Sequence, residues 1–361
     1  MAYINFQPHD YFNTKLYTGN SNGGNSNTQS ITGVGFQPDW SWIKNYSSTA
    51  DHALFDAVRG VTKMLNSNQN EAEETVTDTL TAFDSDGFTL GTDLNQGVVN
   101  NLNETFVSWN WKAGGAGSAN SDGAAANVTV SADTARGISI VKFDIGQSAT
   151  TIGHGLGVAP DAIIMKEMTG SGNWIMGGFG LDWNGYIILN LANDFYNSGD
   201  ASTGSGRMFK AGGTEPTSTV WHSNGSAWLS GSTQTAVAYC FKSIKGFSSF
   251  GRYRGNGSAH GPFIHTGFKP AFVLGKNVDQ NSQHWFINDN KRLGYNGSSA
   301  WIKADSNSAQ LTNLMNCDFC SNGFKIRNND NIFNQSNQTF LYMAFAENPF
   351  VASNGDPANA G

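Results

Sequence analysis

A ten-residue pattern occurs three times in this chain, and it limits the fold more than any other feature. Gly35-Phe36-Gln37-Pro38-Asp39-Trp40-Ser41-Trp42-Ile43-Lys44 returns as Gly157-Val158-Ala159-Pro160-Asp161-Ala162-Ile163-Ile164-Met165-Lys166, and again as Gly267-Phe268-Lys269-Pro270-Ala271-Phe272-Val273-Leu274-Gly275-Lys276. The common frame is Gly-x-x-Pro, five residues, then Lys. Pro38 to Pro160 is 122 residues and Pro160 to Pro270 is 110. Gly opens a turn, Pro presets φ, and the apolar residues that follow read as a strand. Each copy is preceded by a related stretch (Leu16-Tyr17-Thr18-Gly19-Asn20, Val141-Lys142-Phe143-Asp144-Ile145-Gly146, Arg252-Tyr253-Arg254-Gly255-Asn256). Each is closed 67, 75 and 69 residues after its Pro by a Thr that starts an alternating run. These runs are Thr105-Phe106-Val107-Ser108-Trp109-Asn110-Trp111, Thr235-Ala236-Val237-Ala238-Tyr239-Cys240-Phe241 and Thr339-Phe340-Leu341-Tyr342-Met343-Ala344-Phe345. Period-two alternation predicts a strand with one face on a core.

Three markers in the same order, three times, define three units: residues 11–112, 136–243 and 245–347. Asp86-Gly87-Phe88 and Asn322-Gly323-Phe324 are hairpin-turn signals in units one and three. Unit two keeps Asn224-Gly225 and then departs. Residues 113–135 contain Gly114-Gly115-Ala116-Gly117-Ser118 and Gly123-Ala124-Ala125-Ala126 and read as a flexible linker. Residues 348–361 form a polar C-terminal tail. The expected fold is all-β: three tandem antiparallel β-sandwich repeats, jelly-roll-like, with short helical insertions at 56–65 and 70–80. A parallel β-helix is the rival, but its period is one coil rather than about 110 residues.

Composition narrows the function classes. Charged residues are only 14%, yet 24 Phe, 10 Trp and 10 Tyr supply cores, which excludes a disordered chain or a coiled coil. No apolar run is long enough to insert in a membrane. The net charge is -7 and Lys and Arg form no cluster, so nucleic acid is not an expected partner. The three cysteines (Cys240, Cys317, Cys320) cannot form a disulfide framework, and no signal peptide opens the sequence. Synthesis in a reducing cytoplasm is expected.

Catalytic, metal and cofactor sites are not expected. Cys317-x-x-Cys320 is half of a zinc site without a second half. Asp84-Ser85-Asp86-Gly87 begins like a calcium loop but lacks the distal Glu, and reads as a turn. Only seven Glu occur, and Glu71, Glu73 and Glu74 crowd one segment, which leaves no facing carboxylate pair for glycoside hydrolysis. His52, Asp56 and Arg59 form the densest polar constellation, echoed by His284, Asp289 and Arg292. Unit two has neither Asp nor Arg there, so an ion pair bracing a loop is the simplest reading, worth roughly 0–1 kcal/mol if exposed. Asp39 and Asp161 share a repeat position that is Ala271 in unit three, as for a turn residue after Pro. Trp183, Tyr186, Tyr196, Trp221 and Trp228 lie in the irregular middle of unit two and are the candidate ligand-binding residues, by stacking on a sugar.

Phe36-Gln37-Pro38-Asp39-x-x-Trp42-Ile43-Lys44, Phe55-Asp56-x-x-Arg59-Gly60, Asp86-Gly87-Phe88 and Tyr342-Met343-Ala344-Phe345-Ala346-Glu347-Asn348-Pro349-Phe350 resemble repeat proteins encoded among the virion genes of tailed bacteriophages of aquatic bacteria. These are described as tail-fibre, tail or other virion structural proteins, and the resemblance covers nearly the whole chain. It implies a non-enzymatic virion component, most readily a tail fibre or tail-associated protein exposed for host attachment. It implies other virion subunits as partners and a homo-oligomer, a trimer favoured, made in the host cytoplasm. A capsid decoration or baseplate protein, or an adhesin for a host surface glycan, are the alternatives.

Overall fold

The computed structural model describes residues 5–22, 27–94, 96–196, 208–224, 228–292, 296, 300–312 and 316–349. In it the proline-led pattern and the closing run of each unit are neighbouring antiparallel strands. Trp40–Asn45 pairs with Thr105–Trp111, Ala162–Glu167 with Thr233–Phe241, and Phe268–Asn277 with Thr339–Pro349. The opening strand of each unit (Phe12–Thr18, Ile138–Gly146, Ser248–Arg254) lies on the far side of the closing strand. A short strand (His52–Asp56, Ile175–Gly178, Phe286–Asp289) lies beyond the proline-led one. The order opening, closing, proline-led, short therefore recurs in three main sheets. All named strands pair antiparallel, so the solenoid is excluded; 45% of the chain is strand and 3% helix.

Period two sorts the side chains of these sheets into two cores. One face carries Trp40, Trp42, Trp109 and Trp111 in unit one, Ile164, Tyr239 and Phe241 in unit two, and Phe272, Leu274, Met343 and Phe345 in unit three. All belong to a single central cluster, where Trp40 stacks on Trp111 at 4.1 Å and on Tyr239 of unit two at 4.4 Å. The opposite faces feed three separate clusters, each covered by a smaller sheet. Ile43 and Phe106 meet Ile31, Leu80 and Phe88; Met165 meets Ile152 and Trp221; Val273 and Phe340 meet Ile264 and Phe324. The closing strand is thus buried on both faces, not one: even Ser108 and Asn110 are inaccessible, with Ser41 Oγ donating to Asn110 Oδ1 at 2.8 Å. Expecting a core on one side only missed that the units pack against each other.

The Asp-Gly-Phe and Asn-Gly-Phe signals do form hairpins, Asp84 pairing with Gly87 and Cys320 with Gly323. Two other expectations are corrected. Residues 56–65 and 70–80 hold no helix. Asp56 Oδ1 accepts the N–H groups of Val58 and Arg59, and the left-handed Gly60 (φ 99°) and Thr62 (φ 66°) stop propagation before the strand Lys63–Met64, which pairs with Glu74–Thr75. The described helical segments are the four-residue Asn331–Asn334, capped by Asp330, and the 3-10 turns Pro8–Asp10 and Ala211–Gly213. Residues 113–135 are not simply a tether either: Ser118–Ala119 and Thr129–Asp133 extend the second main sheet beyond its opening strand. Val128 and Val130, buried within an otherwise small-residue stretch, were the overlooked strand signal. Of the tail, residues 350–361 lie outside the described residues, as do 225–227 of the unit-two turn.

Candidate functional site

The polar groups that sequence singled out are placed between the units. Asp56 Oδ2 receives Arg59 Nε at 2.5 Å, and both side chains are inaccessible to solvent. The remaining guanidinium donors reach Lys63 O, Leu54 O and Glu73 Oε2. Tyr239 of unit two donates its hydroxyl to the same Asp56 oxygen at 2.8 Å. Burial works against the Arg59 charge, but Asp56, Tyr239 and Glu73 outweigh it and hold the guanidinium above its ordinary value. The Asp–Arg part of the echo is faithful: Arg292 Nε donates to Asp289 Oδ2 at 2.6 Å, and Trp109 of unit one donates to that oxygen at 3.2 Å, whereas His284 meets Asp305 Oδ2 at 2.8 Å instead. These are buried pairs, so the small value expected for an exposed one does not apply.

Counted from the closing Thr, Trp109, Tyr239 and Met343 hold the same position. Counted by pairing across the main sheet, Asp56, Gly178 and Asp289 do too: they face Trp40, Ala162 and Phe272. Unit two donates to unit one and unit one donates to unit three. Along the third seam unit three offers Met343 and unit two offers Gly178, so donor and acceptor are missing together. Gly178 (φ 93°) is instead packed beneath Trp183, where a Cβ would come within 2.8 Å of the indole.

Two further contacts repeat around the same cycle. His52 Nε2 meets Lys303 O at 3.0 Å, Trp174 Nε1 donates to Asn66 O at 2.8 Å, and Trp285 Nε1 donates to Ile188 O at 3.0 Å. The backbone N–H groups of Gln310, Glu73 and Phe195 donate to the carbonyls of Tyr46, Met168 and Val278 at 3.0, 2.7 and 2.8 Å. His52 accepts from Trp42 Nε1 at its Nδ1, which puts its own proton on Nε2, and burial keeps its pKa well below the ordinary range, so it is a neutral hydrogen-bonding strut. None of these three sets could be found from sequence, because their members lie up to 264 residues apart.

The lysine ending each proline-led pattern is also buried. Lys44, Lys166 and Lys276 each donate to the carbonyl of the following residue, and burial lowers each to about 8. In the unfolded chain the amine titrates near 10.5, so between pH 8 and 10.5 the unfolded state holds a proton that the folded state does not. Stability therefore rises with pH across that window. Relative to Lys276→Met, the wild-type chain is expected to gain about 2 kcal/mol between about pH 7.5 and 10, read by urea unfolding at each pH. Parallel curves for the two proteins are the contrary result.

The five candidate ligand-binding aromatics do not form one site. Trp221 is inaccessible and Trp228 is 6% exposed; both belong to the outer core of unit two, and Trp228 Nε1 donates inward to Asn173 O. Neither can stack on a ligand. Trp183 is half-buried against Phe209. Tyr186 and Tyr196 stack at 5.1 Å across an isolated bridge, Tyr196 being 37% exposed, with its hydroxyl accepting from Asn193. Burial, then the neighbouring Tyr196, raise the Tyr186 hydroxyl. Cys317 is buried and Cys320 partly so, burial raises both thiols, and among the described residues no group of three or more His, Cys, Asp or Glu could hold a metal ion.

A chain in which three main sheets share one core is a single β-architecture. It belongs to a family described as a domain of unknown function (DUF7483), which it matches over residues 7–349, across all three units rather than one. No curated protein and no solved structure matches it.

Proposed function

We propose that this chain is a non-enzymatic structural protein of a tailed-bacteriophage virion, tail-associated and exposed for host attachment, built by triplication of a jelly-roll-like β-sandwich module. The observation that carries the reading is how its polar chemistry is used. The densest titratable clusters, around Asp56 and Asp289, and the neutral His52 are engaged as fasteners between units, where they hold a rigid body together. The four-strand order common to the three main sheets supports triplication. Rigid sheets presenting loops outward suit display. Its partners are other virion subunits and further copies of itself, a trimer favoured. The test is mass spectrometry and reconstruction of the purified particles that encode it. The chain is expected as a stoichiometric component at the tail. Its absence from particles, or release of reducing ends from host polysaccharide by the purified chain, contradicts the reading; a position on the capsid shell moves it to a decoration protein.

A further inference from the structure

The opening strands of units two and three differ at their outer edges. In unit two, Thr129–Asp133 pairs with that edge from Ile138 to Lys142. In unit three the opening strand Ser248–Arg254 ends its sheet, with only the closing strand Thr339–Pro349 beside it. Ala346 N–H donates to Phe247 O at one end of this pairing, and Gly255 N–H donates to Gln338 O at the other. Antiparallel alternation between these two bonds turns the backbone groups of Ser248, Phe250, Arg252 and Arg254 away from the sheet. Both groups of Ser248 are taken by Ile244, and Phe250 N–H donates to Ser243 Oγ at 3.1 Å. The Arg252–Arg254 end is left as a free edge, at a place where unit two holds a strand of its own.

This edge is cationic in a chain whose net charge is -7. Between Glu215 and Asp279 the sequence has no Asp or Glu. Arg252 and Arg254 are exposed, as is Lys245 in the turn before the strand, and among the described residues none of the three has an ion pair or a side-chain hydrogen bond. Two residues apart on a strand, Arg252 and Arg254 point to the same face. The matching occupant is an extended segment whose backbone fills the edge and whose carboxylates, at alternate positions, lie opposite or diagonal to the guanidinium groups. A second copy of this chain does not supply one. Its acids stand two apart only at Glu71 and Glu73 and at Asp84 and Asp86. Glu73 is held by Arg59, Asp84 by Thr89, and Asp86 by the N–H groups of Gly33 and Gly35.

We propose that the free edge at Gly251–Arg254 takes an acidic strand of another protein, added beyond the opening strand of unit three, with carboxylates at alternate residues paired to Arg252 and Arg254. The contact holds whatever particle carries the chain, so its failure leaves the virion reading standing.

The test is calorimetry on the full chain with three end-capped peptides: Thr-Ser-Glu-Val-Glu-Ser-Thr, its permutation Thr-Ser-Glu-Glu-Val-Ser-Thr, and Thr-Ser-Lys-Val-Lys-Ser-Thr. At low salt the alternating acidic peptide is expected to bind at least about tenfold more tightly than its permutation, and the Lys peptide not to bind. This preference is expected to fade at about 0.5 M salt. Arg252→Gln combined with Arg254→Gln is expected to abolish it, and because both side chains are exposed the variant is expected to keep the wild-type circular dichroism. N-methylation of alternate amides along one edge of the peptide is expected to abolish binding, and along the other edge to leave it intact. The proposal is overturned if no acidic peptide binds at up to about 1 mM, if the permutation binds equally well, or if the double Gln variant keeps the preference. Self-association of that variant, with no peptide bound by the wild type, also overturns it and marks the arginines as guards against edge pairing.

Discussion

Arg59→Met is expected to cost about 3–5 kcal/mol of folding stability, the price of leaving Asp56 buried without its counter-ion. The carboxylate is inaccessible, and the Tyr239 hydroxyl and two backbone N–H groups are the donors that remain to it. The loss falls on a seam between two units, so it acts on the whole molecule rather than on one loop. Arg59→Met combined with Asp56→Ala is expected to recover much of the loss, because a buried pair replaced by apolar groups can be nearly neutral. The protein contains its own precedent: Gly178 and Met343, at the matching positions of units two and three, carry no charge, and Phe179 and Phe250 of those units lie edge to face at 6.4 Å. Urea unfolding of the three proteins measures this. A single-variant cost below about 1 kcal/mol, or a double variant worse than the single, contradicts it.

Trp40→Ala is expected to destabilise by about 3–5 kcal/mol, as removal of a fully buried indole does. Trp40 is 1% exposed and touches rings from two units, Trp111 and Tyr239. Because this core is shared, the loss is expected to lower one cooperative transition for the whole chain instead of detaching unit one. The corollary concerns residues 11–112 expressed alone. That fragment would expose Trp40, Trp42, Trp109 and Trp111 together, and it is expected to stay unfolded or to aggregate. Calorimetry of the full chain and circular dichroism of the fragment decide the matter. Three separable transitions, or a folded fragment, would show that the units are independent domains.

Much of the architecture was legible in residues alone. The Gly-x-x-Pro frame and the Thr-led runs located the central strands of all three main sheets, because strand propensity and period-two alternation are local properties. Asp-Gly and Asn-Gly marked two hairpins for the same reason. The stretch around Asp56 was misread as helical, since its carboxylate caps a single turn that left-handed residues then end. The candidate site was legible only as a list of residue types. Trp221 and Trp228 carry the same chemistry as an exposed stacking residue, and nothing local says which side of a sheet faces water when both sides are covered.

The pairing of Asp56 with Arg59 could be read from a three-residue spacing. That Tyr239 and Trp109 complete these pairs, and that Met343 and Gly178 hold the matching positions without a charge, depended on how three sheets meet. Contacts between residues hundreds of positions apart leave no mark on local propensity. Local pattern chose the strands; burial of their second faces against one another, the hydrophobic term that only the assembled chain can satisfy, chose their arrangement.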